Sequence, residues 1–325
     1  MIGRFAHTAM MVAAVLLAAA GLACAQDTKL TVMVFPGMQN LPLFAAQSKG
    51  LFAGRGLAVD VKMAPSSEEQ RAGLADGRGQ IIHAGIDNAV AMAEVAKVDI
   101  AIFCGGDNSF NHVIVQPDIN SFADLRGKTV IVDAPDTAYA FQLYEILKRN
   151  GLSKGDYAVK SVGATVRRLA AMREDKTVSA SMMNPPFSLL AMKSGMKDMG
   201  AAASFLGAYQ ATGGAVLRSW AKANSGALVK YMQAYIEGLR WSLDPHNKDA
   251  AIALLADNLK LPSEIAAATY AVAADPADGL AKDAAFDLEG FKNVLKLRAD
   301  WTGAAPGAPE RYLDLSYYQR ALAGL

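Results

Sequence analysis

The chain has 325 residues, 52% of them apolar, with 32 basic and 31 acidic side chains and a net charge of +1. That apolar content excludes intrinsic disorder, and the length suits two domains or one bilobal body with a sizeable core. A balanced charge without a basic tract excludes the electrostatic footprint of a nucleic-acid binder or of a protein drawn to anionic membranes, which leaves a small partner.

Arg4 precedes an apolar run from Ala9 to Leu22, and Ala23-Cys24-Ala25 stands directly ahead of Gln26-Asp27. The run is short for a bilayer span, and small residues on either side of Cys24 suit a signal peptidase. Residues 1–25 are therefore expected to be an export signal cleaved after Ala25, with the periplasm as destination. Lipidation of Cys24 is the competing route, but Gly21 stands where a branched apolar residue is usual. Processing would leave Cys104 alone, at the end of the apolar run Ile100 to Phe103, where a buried structural thiol is expected.

β-rich runs alternate with helical patterns, which predicts parallel sheets covered by helices. Strands are expected at Leu30–Phe35, Ala58–Met63, Gln80–Ala84, Val98–Phe103 and His112–Gln116. Helices are expected at Pro42–Lys49, from Ser66-Ser67-Glu68-Glu69 onward, and from Asp87-Asn88 to about Lys97. A second set follows Pro117: strands at Thr129–Val132, Tyr157–Val162 and Val178–Met183, with helices at Thr137–Asn150 and Ala164–Glu174. In the first of these, Ala140, Leu143, Tyr144 and Leu147 share one face, Lys148 and Arg149 occupy the last turn, and Gly151 ends it. After Phe205 comes a strand at Ala215–Arg218, and then a helical tail whose stripe of Leu228, Tyr231, Met232, Tyr235 and Leu239 is expected in the core.

Catalytic patterns are absent. No dinucleotide glycine motif follows a strand, and no nucleophile elbow or paired metal-ligand spacing occurs. Beyond the signal the histidines are His83, His112 and His246, in three separate elements. Gly127-Lys128-Thr129 fails as a phosphate loop because Phe122 stands where its first glycine belongs and a strand follows.

What remains is a set of loops after strands, each placing small polar residues at the start of a helix, where ligands of open α/β sheets sit. The candidate ligand residues are Gln39, Asn40, Asp87, Asn88, Asp107, Asn108, Asp136, Thr137 and Asn184. Helix capping is the alternative reading of Asp87, Asp136 and Thr137.

The segments Leu41-Pro42-Leu43-Phe44-Ala45-Ala46-Gln47-Ser48-Lys49-Gly50-Leu51-Phe52, Asp124-Leu125-Arg126-Gly127-Lys128-Thr129 and Ser179-Ala180 to Pro185-Pro186 give the chain its kinship. It resembles the substrate-binding proteins of bacterial ABC importers, in the branch of sulfonate, nitrate, taurine and thiamine-precursor binders. The resemblance implies an α/β, two-lobed periplasmic binding protein type 2-like fold, each lobe a mostly parallel sheet covered by helices, with a helical carboxyl-terminal region. It places the first lobe at residues 26–116 and 209–325 and the second at 117–208, with hinge crossings near Val115 to Pro117 and near Ala208 to Gly213. It further implies a monomer that captures a small organic molecule between its lobes and delivers it to a membrane permease with a cytoplasmic ATPase, with no enzyme activity, cofactor or metal. A ligand-binding sensor without a transporter and a thiamine-precursor enzyme are the alternatives. The chain departs from these relatives in two respects: its candidate loops carry no Arg or Lys for an anion, and it lacks the cysteine-rich motif of the pyrimidine-synthesising proteins.

Overall fold

The computed structural model describes residues 27–305 and 307–325, so the expected signal and Cys24 lie outside the described residues. Among the described residues ten strands form two five-stranded sheets.

The first sheet contains β1 (Thr28–Val34), β2 (Leu57–Met63), β3 (Ile81–Gly85) and β4 (Ile100–Asp107). The second contains β5 (His112–Val115), β6 (Thr129–Val132), β7 (Ala158–Ser161), β8 (Val178–Met183) and β9 (Lys197–Ala201). The last strand, β10 (Thr212–Leu217), returns to the first sheet. The strand orders are β2-β1-β3-β10-β4 and β7-β6-β8-β5-β9. These are one and the same order, because in each sheet the strand beside the fourth came across from the other half of the chain. It runs antiparallel to both neighbours, while β1 to β3 and β6 to β8 are parallel among themselves.

The expected strand at His112–Gln116 therefore forms, but in the second sheet, where Val113 pairs with Met182 and Ile114 with Ser181. The chain passes between sheets at residues 108–111, earlier than the expected first crossing, and returns between Leu206 and Thr212. Val113, Ile114 and Val115 are all buried, Val113 and Val115 in one apolar cluster and Ile114 in another. A strand apolar on both faces fits the middle of either sheet, so its pattern does not reveal which one it joins. β9 went unforeseen because Lys197-Asp198-Met199-Gly200-Ala201 lacks a β-branched run, as suits an edge.

The helices of the two βαβ sets are α1 (Leu41–Ser48), α2 (Ser67–Ala75), α3 (Ile86–Glu94), α4 (Ala138–Arg149), α5 (Thr165–Glu174), α6 (Phe187–Lys193) and α7 (Ala202–Leu206). α4 begins as its sequence dictates: the Thr137 hydroxyl accepts from Ala140 N, and Ala140, Leu143, Tyr144 and Leu147 are buried. The tail forms α8 (Arg218–Ala223), α9 (Ser225–Leu243), α10 (Lys248–Leu259), α11 (Ser263–Ala273), α12 (Leu288–Thr302) and α13 (Ser316–Ala323). Leu228, Tyr231, Met232, Tyr235 and Leu239 of α9 all lie in the core beneath the first sheet, with Cys104. α9 rests so closely on α1 that a Cβ at Gly238 would run into Pro42 O and the Ala46 backbone. No helix among the described residues is long and apolar enough to cross a membrane.

Candidate ligand-binding site

The carboxyl ends of β1 and β3 face those of β6 and β8, and a cavity lies between them. The first lobe contributes Phe35, Gln39, Ser67, His83, Ala84, Gly85 and Asn88. The second contributes Asp133, Thr137, Ala138, Tyr139, Ala164, Thr165, Arg168 and Asn184, and Thr212 closes the side near the second crossing. Its volume is about 40 Å³, which suits a compact ligand.

The lobes touch around the cavity. The Ser67 hydroxyl donates to Asp133 Oδ2 at 2.8 Å, Asn184 Nδ2 lies 3.5 Å from Gln39 Oε1, and Met38 N donates to Pro185 O at 3.3 Å. A Cβ built on Gly85 would lie 3.3 Å from the Ala138 methyl. Glycine at 85 thus lets β3 approach the start of α4.

Four helices begin at this cavity. Ser66 caps α2 and Thr137 caps α4, whereas α3 starts after Gly85 and α5 after Ala164 with no side chain capping either. Unpaired N–H groups at helix starts give the wall a positive potential. Arg168, in the second turn of α5, is 1% exposed, and burial pushes its pKa down. Its Nη2 donates to Thr165 Oγ1 at 2.8 Å and to Met182 O at 3.1 Å, its Nη1 donates to Gly163 O at 3.3 Å, and Tyr139 lies 5.3 Å away against its face. Nε has no partner. The nearest carboxylate, Asp133, approaches Nη1 to 3.4 Å and accepts from Thr137 at 2.6 Å as well as from Ser67.

On the first lobe His83 Nε2 lies 2.8 Å from the Tyr231 hydroxyl, and the ring stacks on Tyr235 with centroids 4.8 Å apart. Burial pushes its pKa down to about 3, so it is neutral at neutral pH. Asn88 is buried, and its Oδ1 has no partner among the described residues.

The structure thus brings Gln39, Asn88, Thr137 and Asn184 together around the cavity. The other five expected residues do not line it. Asn40 is fully buried and donates to Phe35 O at 2.6 Å, holding the turn into α1. Asp87 turns away to Arg298 of α12, whose Nη1 lies 2.9 Å from Oδ2 and 3.3 Å from Asp136 O. Burial nonetheless raises the Asp87 pKa against that pull. Asp136 meets Arg298 through its backbone alone, and Asn108 is exposed in the first crossing. Asp107 accepts from Ser109 N at 2.9 Å and from the Thr212 hydroxyl, so it ties the first crossing to the second. The side chains of Asn40, Asp87 and Asp107 thus found protein partners.

Sequence reading missed Ser67, Asp133, Tyr139, Thr165 and Arg168. Asp133 directly follows the expected strand Thr129–Val132 and could have been added on position alone. Arg168 carried no such signal, since one arginine within a helix reads as solvated.

Two sheets of one strand order, joined by two crossings around a closed cavity, define the periplasmic-binding-protein class of α/β fold. The chain belongs to the NMT1/THI5 like family, whose pattern matches residues 38–247. Among solved structures it is similar to the ligand-binding component of an ABC-type import system from Staphylococcus aureus, with TM-score 0.77 and 12% identity over 91% of this chain and 99% of that one. It is also similar to the periplasmic nitrate-binding protein NrtA from Synechocystis, with TM-score 0.77 and 14% identity over 92% and 89%. The aliphatic sulphonate-binding protein SsuA from Escherichia coli gives TM-score 0.68 and 16% identity over 90% and 97%. A search of curated proteins finds no relative.

Proposed function

We propose that this chain is an exported solute-binding protein that captures a small organic molecule between its lobes and delivers it to an ABC-type permease, without chemical conversion. The observation that carries this reading is the cavity between the lobes at the carboxyl ends of both sheets, bridged by Ser67 and Asp133. Closure over a ligand buries its polar groups among fixed dipoles and presents one shape to a membrane partner. The family, and the importer component, nitrate binder and sulphonate binder of like fold, support the same role. Its chemistry agrees. Cys104 is buried away from the cavity with its thiol pushed up to about 12, and His83 is neutral and engaged with Tyr231, so neither is poised as nucleophile or base.

Native mass spectrometry of freshly purified protein, followed by a thermal-shift screen of metabolites with a check for product, tests the reading. A retained or stabilising compound recovered unchanged is expected, with about 2.7 kcal/mol of stabilisation at a hundredfold excess over Kd. Conversion of that compound would replace binding by catalysis. Intact mass of protein exported from its host should show a chain beginning at Gln26 without lipid.

A further inference from the structure

Resting on the solute-binding reading, we infer that the ligand is a small, singly charged carboxylate with a neutral polar remainder, its acid group held on the second lobe between the Arg168 guanidinium and the amino terminus of α5. α5 runs for ten residues from Thr165 and has no capping side chain, so its first N–H groups are open to an acceptor at the cavity wall. The second observation is independent of the first. Arg168 lies on the same wall, is 1% exposed, and has no partner for Nε among the described residues. Three of its five N–H groups are engaged, with Gly163, Thr165 and Met182, so the guanidinium can serve one ligand oxygen while the helix start serves the other.

Asp133 selects among acids. Both its oxygens are taken, by Ser67 and Thr137, and it stands 3.4 Å from Arg168. It balances the guanidinium, so the surplus positive potential for a ligand comes from the helix amino termini. An ammonium on the ligand would compete for it with those two hydroxyls and with Arg168. A sulfonate brings a third oxygen that would crowd this carboxylate, whereas a carboxylate's two oxygens are met by the guanidinium and the helix start. The first-lobe wall carries no charge. Phe35 and Ala84 are apolar there, and the buried, unpartnered Asn88 Oδ1 fits a ligand hydroxyl.

The test compares propionate, lactate, ethanesulfonate, β-alanine and propionamide by calorimetry on the full processed chain, with the Asn88→Asp variant alongside. Saturable binding of propionate or lactate is expected, at least tenfold tighter than of the other three, with lactate ahead of propionate. Asn88→Asp places a second carboxylate on the wall with little change of shape and should weaken binding of the carboxylate at least tenfold, while the far-ultraviolet spectrum of the free protein holds. Equal or tighter binding of ethanesulfonate, β-alanine or propionamide overturns the inference and leaves solute binding standing. Failure of both carboxylates to bind, or an unchanged Asn88→Asp affinity, also overturns it. If the metabolite screen likewise yields no ligand of any charge, the solute-binding reading falls with it.

Discussion

The hydroxyl of Ser67 donates to the carboxylate of Asp133 across 2.8 Å, joining the first turn of α2 on one lobe to the end of β6 on the other. Both residues line the cavity, so the bond exists only when the lobes are shut. Closure is thereby fixed by a charge-assisted hydrogen bond at the place where a ligand would sit.

Replacing Ser67 by alanine should loosen the closed form without touching either core. Loss of one such bond at a half-buried carboxylate should weaken ligand affinity by about 1.5–3 kcal/mol. Calorimetric titration should show that loss, and urea unfolding of the free protein should move by less than about 1 kcal/mol. Equal losses in both would make the pair a fold contact instead.

Gly85 separates closure from folding in a second way. The 3.3 Å left between an added Cβ and Ala138 leaves no room for a branched side chain. Gly85→Val should hold the lobes apart. Small-angle scattering at saturating ligand should show a larger radius of gyration than for the wild type, with affinity reduced tenfold or more. A variant that closes normally would place the lobe contact elsewhere.

Asp107 gives a pH signature. Burial pushes its pKa up to about 6 from an ordinary 3.8, although Thr212 and Ser109 donate to it. The folded protein therefore holds this proton more tightly than the unfolded chain, so between about pH 4 and 6 the folded state binds more protons and stability falls as pH rises. Asp107→Asn should flatten that slope and be more stable than the wild type at pH 7, by about 1–3 kcal/mol. Urea titrations at pH 4, 5, 6 and 7 measure it, and parallel profiles for the two proteins would refute the assignment.

Arg298 and Asp87 form a buried ion pair between α12 and α3, 2.9 Å apart and both at most 6% exposed at the side chain. Arg298→Met should cost about 3–5 kcal/mol, because it strands a carboxylate in the interior. Adding Asp87→Asn to that variant should restore part of the loss. An additive double variant in denaturant unfolding would mean the two side chains do not depend on one another.

The amino-acid sequence by itself determined the alternation of strands and helices, the start of α4 at Thr137, the burial of the Tyr231 and Tyr235 face, and the habit of polar residues to follow strands. Each of these is a local matter, settled within a few turns by periodicity, capping and turn chemistry. Tertiary structure decided which sheet takes His112–Val115, since a strand apolar on both faces carries no address. It also decided the site. Asp87 and Asn88 are chain neighbours at one helix start, yet Asp87 meets an arginine 211 positions away while Asn88 reaches the cavity. Arg168, which supplies the cation that the loops lacked, comes from within a helix. Successive helical residues point about 100° apart, so which of them faces the cleft depends on how the helix is laid against its sheet, and that is set by packing between segments far apart in the chain.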